Sequence, residues 1–153
     1  MDPSAEELVE IAVETARTAK LFAIEPKVAL LSFSTKGSAK SPSVEKMQAA
    51  TKLLQDMDLD YPVDGELQFD AAFVPSVAKA KAPDSPLEGQ ANTFIFPDIN
   101  SGNIGYKIAQ RLGGFEAFGP ILQGLNAPIN DLSRGCTADE VYKMAIITAA
   151  SVE

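Results

Sequence analysis

Val28-Ala29-Leu30-Leu31-Ser32-Phe33 is a short, nearly continuous apolar run placed just after Pro26. It has the pattern of a strand buried on both faces in a parallel sheet, since a half-exposed strand would alternate apolar and polar residues. Upstream, Ser4-Ala5-Glu6-Glu7 has the form of a capping box, and Leu8, Ile11, Ala12, Thr15, Ala16 and Ala19 follow at helical spacing. An amphipathic helix is therefore predicted over about 4–22, with its end marked by Glu25-Pro26. A helix feeding such a strand points to an α/β fold.

The pattern continues downstream. Gly37 to Pro42 is rich in Ser, Gly and Lys and reads as a loop, after which Val44, Met47, Ala50, Leu53 and Leu54 put an apolar stripe on a second helix ending near Met57. Val63 to Phe69 reads as a short strand, Ala71 to Ala80 as a third helix stopping before Pro83, and 81–86 as a surface connection. Thr93-Phe94-Ile95-Phe96 is the clearest second buried strand, and Ser101-Gly102-Asn103 leads into a helix over about 103–112. Ligands of α/β sheets bind beyond the carboxyl ends of strands, which makes the loop from Pro97 to Gly105 a candidate ligand edge. After Gly113-Gly114 the chain is punctuated by Gly and Pro as far as Gly135, and a last apolar helix is predicted over about 138–151.

Composition bounds the function. The 153 residues suit one domain, and 46% hydrophobic with 22% charged residues is ordinary for a globular protein. A net charge of −8, from 21 acidic against 13 basic residues, repels nucleic acid but leaves room for a small phosphorylated ligand held by local cations and amides. With Cys136 as the single cysteine and no histidine, a disulfide framework, a Ser-His-Asp site and the usual zinc sites are excluded within the chain. A reducing cytoplasm is the expected location, and neither a signal peptide nor an apolar run of membrane-spanning length is found. The start at Met1 fits both a true start and a cut through a longer protein.

Three blocks near the carboxy terminus carry a resemblance: Phe96-Pro97-Asp98-Ile99-Asn100-Ser101-Gly102-Asn103 with Tyr106-Lys107, then Gly119-Pro120-Ile121-Leu122-Gln123-Gly124, then Pro128-Ile129-Asn130-Asp131-Leu132-Ser133-Arg134-Gly135. Together with 28–37 (VALLSFSTKG) and 64–71 (DGELQFDA), they make the chain resemble the phosphate acetyl/butyryl transferase family. Full-length members are about twice as long, so the match is to their second half. The resemblance implies an α/β, three-layer fold with a central mostly parallel sheet. About 1–118 would be an inserted second domain, and about 119–153 a segment returning to the first domain. It further implies a homodimer that moves an acetyl group between coenzyme A and inorganic phosphate through a tetrahedral oxyanion, without an acyl-enzyme. Coenzyme A and phosphate would be substrates, with no metal and no tightly bound cofactor, and the amino-terminal half would be the chief partner. A phosphate butyryltransferase fragment and a non-catalytic coenzyme A-binding or oligomerisation module are the competing readings.

The family's serine–arginine pair falls on Ser133-Arg134: the serine would hydrogen-bond the reacting carbonyl and the arginine would hold anionic groups, a role that suits a guanidinium fork. The same pentapeptide also reads as a polar turn before the last helix. The family's aspartate base aligns with Glu140, beside Asp139, yet Thr137-x-x-Glu140 is equally a capping box. Lys107 and Arg111, four residues apart on one helix face, match basic positions used around coenzyme A, against the alternative of a solvated face. Asn103 and Tyr106 are further substrate-binding candidates, with capping and packing as their ordinary roles. Cys136 has no histidine to activate it and reads as a packing residue. Lys36-Gly37-Ser38 lacks the spacing of a phosphate loop.

Overall fold

Ser4 opens the first helix of the computed structural model in the way its sequence predicts. Its hydroxyl accepts the Glu7 N–H at 3.2 Å, and the Glu7 carboxylate returns to the Ser4 N–H at 2.7 Å. The structure describes residues 2–152. These divide into two compact units, Met1–Ile104 and Gly105–Glu153, with the boundary inside a helix.

In the first unit, α1 (Ala5–Leu21) leads to β1 (Val28–Leu31), the middle strand of a three-stranded sheet ordered β2-β1-β3. The strands β2 (Val63–Leu67) and β3 (Thr93–Ile95) both pair with β1 in parallel, Val28 standing opposite Val63 on one side and Thr93 on the other. Side chains alternate across a strand, so Val28 and Leu30 turn to one face, with Val63 and Ile95, and meet Leu8, Ala12 and Ala16 of α1 and Met47, Ala50 and Leu54 of α2 (Pro42–Gln55). Ala29 and Leu31 turn to the other face, with Leu67, against Ala71 and Ala72 of α3 (Phe69–Phe73) and against Ala82, Leu87 and Ala91. With α4 (Pro75–Lys81) on the α3 side, the result is a three-layer α/β unit. Each fully buried Leu or Val contributes about 1.5–3 kcal/mol relative to exposure.

Several sequence expectations are corrected. The β1 strand stops at Leu31, where its register with β2 shifts, and Phe33 is 61% exposed instead of buried. Leu53 lies 42% exposed, while Thr51 takes the buried place on α2. The expected single helix over 71–80 is two helices, because Pro75 forces Val74 into an extended conformation (φ −112°, ψ 112°) and then starts α4. In the connection over 81–86, Lys81, Pro83, Asp84 and Pro86 are exposed as expected, while Ala82 and Ser85 are buried. Phe69 belongs to α3, not to a strand.

The loop after β1 closes on buried carboxylates. Glu66 accepts from the Ser34 hydroxyl (2.7 Å), the Gly37 N–H (2.8 Å) and the Gln48 amide (3.0 Å), while Lys36 pairs with buried Asp64 and donates to the Gly65 carbonyl (2.8 Å). Burial pushes the Glu66 pKa up, but these three donors outweigh it and leave it below the ordinary value. The Gly37 amide thus already faces an anion belonging to the chain itself.

The second unit contains the last part of α5 (Ile99–Gly113), a segment without helix or strand over 114–137, and α6 (Ala138–Ala150). The Gly119–Pro120 peptide is cis. Among the described residues of this unit only Met144 is classed as buried, at 5% exposure, while Leu112 is 86% exposed. No helix among the described residues is long and apolar enough to cross a membrane.

Candidate functional site

The α5 helix starts at Ile99, four residues before the expected position. Asp98 provides the start: its carboxylate accepts the Ser101 N–H at 2.9 Å, and its carbonyl accepts the Ser101 hydroxyl at 2.9 Å and the Gly102 N–H at 3.2 Å. The Ser101 N–H bond holds the Asp98 carboxyl below its usual pKa. Two expectations change as a result. The helix terminus in the predicted ligand edge is already occupied by the chain's own carboxylate, and Asn103 is an exposed residue inside the helix, not its cap.

Beyond the unit boundary, α5 presents Tyr106, Lys107, Gln110 and Arg111 to one small cavity of ≈ 90 Å³. Residues 117–119 form a second wall, Leu132, Ser133, Gly135 and Cys136 a third, and Glu140 and Met144 of α6 close it. Five sequence candidates therefore meet here: Tyr106, Lys107, Arg111, Ser133 and Glu140. Two do not line it. Asn103 stands one turn before Lys107, and Arg134 sits exposed in the turn between Ser133 and Gly135. Gln110 escaped the sequence reading although it is three residues after Lys107, the spacing that should have revealed it.

Local chemistry explains the geometry. The Ser133 carbonyl accepts the Cys136 N–H at 3.0 Å and its Oγ accepts the Gly135 N–H at 3.3 Å, so the turn orients the hydroxyl through its acceptor side and leaves the O–H to be donated elsewhere. The α6 helix begins with a complete capping box, the Thr137 N–H donating to Glu140 Oε2 at 2.6 Å and the Glu140 N–H donating to Thr137 Oγ1 at 3.2 Å. Both readings of Glu140 thus keep a basis, since the residue whose carboxylate forms the cap is also one of those lining the cavity. Asp139 does not line it and pairs with Lys143 one turn on at 2.8 Å. That bond, with a longer one to Glu116, raises the Lys143 pKa. Lys107 Nζ lies 5.1 Å from the centre of the Tyr106 ring, a cation–π distance. Cys136 is half-buried in the cavity wall.

Size and charge limit what this unit does. A cavity of ≈ 90 Å³ takes a group the size of acetyl or phosphate, well below the roughly 300 Å³ where ordinary ligand pockets begin. A larger groove in the first unit, ≈ 310 Å³ and lined by residues such as Ile11, Phe94, Ile95 and Ile99, has no Lys or Arg among its lining residues and no cluster of convergent donors. No group of three or more His, Cys, Asp or Glu suited to a metal is found among the described residues.

Comparison with known proteins matches the same stretch. A family model described as phosphate acetyl/butaryl transferase covers residues 1–149. The phosphate acetyltransferase of Bacillus subtilis (strain 168) is 64% identical over 148 residues, which are 97% of this chain and 46% of that relative. A solved phosphotransacetylase from Streptococcus pyogenes superposes with a TM-score of 0.94 at 67% identity, over 98% of this chain and 46% of that one. A branched-chain phosphotransacylase from Enterococcus faecalis V583, at 24% identity, a TM-score of 0.84 and coverage of 100% of this chain and 56% of that one, shares the fold. The chain spans about half the length of the curated relatives it matches.

Proposed function

Since the chain belongs to the phosphate acetyl/butyryl transferase family, we propose that it is the carboxy-terminal half of a phosphate acetyltransferase, which converts acetyl-CoA and phosphate to acetyl phosphate and coenzyme A. In that reaction a phosphate oxygen attacks the thioester carbonyl carbon, the carbonyl oxygen becomes an oxyanion, and the C–S bond breaks to release the thiol. The observation that carries the reading is the Ser133 turn. Its hydroxyl accepts from the Gly135 amide and keeps its proton for donation, in a cavity that also holds Lys107, Arg111 and Glu140.

In this reading Ser133 donates to the developing oxyanion, worth roughly 3–4 kcal/mol of barrier. Arg134, Arg111 and Lys107 meet the anionic groups of phosphate and coenzyme A, with Tyr106 and Asn103 as weaker contacts. Glu140 takes the thiol proton in the direction that forms acetyl-CoA. The working enzyme is a cytoplasmic homodimer.

The chain by itself is under-equipped for this. Phosphate and the coenzyme A pyrophosphate bring several negative charges into one site, and three nearby cations leave part of them unneutralised. The small cavity and the scarcity of buried side chains in the second unit support the same conclusion. They also favour one alternative reading, a non-catalytic coenzyme A-binding module. The test is acetyl-CoA formation from acetyl phosphate and coenzyme A, with this chain alone and with the other half of the enzyme supplied. Turnover that needs both halves is expected; coenzyme A binding without turnover in either case would favour the module. Running butyryl phosphate beside acetyl phosphate separates the two acyl preferences.

A further inference from the structure

Asn130 joins two stretches of chain that lead into the cavity walls, without lining the cavity itself. Its Oδ1 accepts the Leu122 N–H at 3.0 Å, and its Nδ2 donates to Thr148 Oγ1 at 2.8 Å. Thr148 in turn donates to the Met144 carbonyl at 2.8 Å. Neither Leu122 nor Asn130 lines the cavity, but Leu122 follows Gly119 of one wall by three residues and Asn130 precedes Leu132 of the other by two. One amide side chain therefore ties the two irregular walls together and fastens both to α6.

We propose that Asn130 is a positioning residue, a brace that fixes the Ser133 wall against the wall running from 117 to 122. The segment 114–137 has no helix or strand and Met144 is the one buried side chain of the unit among the described residues, so the walls have little core to pack on. Lys143 ties α6 to the 117–119 wall through Glu116 at 3.4 Å and the Phe118 ring at 5.1 Å, and Asn130 adds bonds that join that stretch to the Ser133 stretch. Polar fixation is left to carry what a core carries elsewhere. Asn suits the place because it combines an acceptor for an amide with a donor for a hydroxyl on one short side chain. Aspartate keeps the acceptor and loses the donor, and leucine keeps the bulk and loses both.

The kinetic part of this inference rests on the transferase reading above; the structural part does not, and Cys136 allows the two to be separated. That thiol is the chain's single cysteine and sits half-buried in the Ser133 wall. In the 153-residue chain, Asn130→Leu and Thr148→Val are expected to speed labelling of Cys136 by a small aromatic disulfide reagent roughly 5- to 30-fold, the population change that losing one or two net hydrogen bonds produces. Thr148→Ser, which restores the hydroxyl, should return the rate to normal. Circular dichroism and thermal unfolding verify that each variant keeps its fold. In the complete enzyme, Asn130→Leu should lower kcat roughly 10- to 100-fold through misplacement of Ser133. KM for coenzyme A should change little, because Lys107 and Arg111 stand on α5, which the brace does not hold. Unchanged labelling in folded Asn130→Leu and Thr148→Val would overturn the brace. Faster labelling in an assembly with no transferase activity would uphold the brace and remove the transferase reading instead.

Discussion

Replacing Glu140 with glutamine separates the cap that it forms from the base role proposed for it. The carboxylate receives the Thr137 N–H at 2.6 Å, and a Gln at the same place keeps an oxygen able to accept that bond. What is lost at the cap is the charge on the acceptor, the difference between a charge-assisted and a neutral hydrogen bond, or about 1 kcal/mol. In a chain of this size that lowers Tm by about 2–4 °C. Thr137→Ala attacks the same cap from the other side, removing the 3.2 Å bond to the Glu140 N–H at a similar cost of about 1 kcal/mol while leaving the carboxylate in place. If the carboxylate also acts as a base, Glu140→Gln loses a further factor of about 10²–10⁴ in acetyl-CoA synthesis, and Thr137→Ala does not. The loss should shrink towards high pH, where the coenzyme A thiol ionises without help. Thermal unfolding of both variants in this chain, and initial rates across pH in the complete enzyme, give the comparison. Equal Tm shifts with nearly normal rates in both variants would refute the base and leave Glu140 a cap.

Three other outcomes are expected. Ser133→Ala in the complete enzyme should cut turnover about 10- to 1000-fold with little change in Tm, because one oxyanion donor is lost while the turn gives up only a 3.3 Å bond from Gly135; wild-type turnover would remove Ser133 from the mechanism. Glu66, whose folded pKa lies below its ordinary 4.5, contributes stability that is present above that value and is lost as pH falls through the folded pKa. Urea unfolding of wild type should therefore weaken with acid below about pH 5 more steeply than that of Glu66→Gln, and identical pH dependence would show that the carboxylate is not preferentially bound in the fold. Gly65→Ala should cost about 2–3 kcal/mol, since the new methyl would collide with Thr51 Oγ1 and lie 2.8 Å from Leu30 Cβ, both on buried residues; urea midpoints measure it, and an unchanged midpoint would mean that the neighbours give way freely.

How much of this was legible depended on how local each signal is. The capping boxes at Ser4 and Thr137 are complete within four residues, and both form as read. The run from Val28 gave the parallel sheet because burial on both faces leaves few polar residues to misread. Phe33 misled because β1 ends at Leu31, two residues before it, and an apolar run does not mark where pairing stops; Leu53 misled because an apolar residue at helical spacing need not point inward. Pro75 was readable in principle, since the residue before a proline resists the helical conformation. Asp98 was a missed cap: an Asp followed three residues later by an N–H donor opens α5 earlier than the glycine suggested. At the site, helical spacing placed Lys107 and Arg111 on one wall. The absence of Arg134 from the cavity lining, and the bonds of Asn130 to Leu122 and Thr148, depend on the course of an irregular segment that no periodicity encodes.

The order of strands in the sheet bears on how the chain acquires its fold. The central strand β1 is made before either of its partners, so Val28 must wait for Val63 on one side and for Thr93 on the other. Closing those distances costs chain entropy before any contact repays it, which places this unit among slower-folding topologies. Until β3 emerges, a nascent chain carries a fully apolar strand with one edge unpaired, the kind of edge that recruits other chains. The residues that complete the sheet, Thr93 to Ile95, lie immediately before the helix that carries the candidate site. The last strand of the sheet therefore precedes the candidate site in the order of synthesis, and β1 loses its open edge only when Thr93 to Ile95 are free to pair.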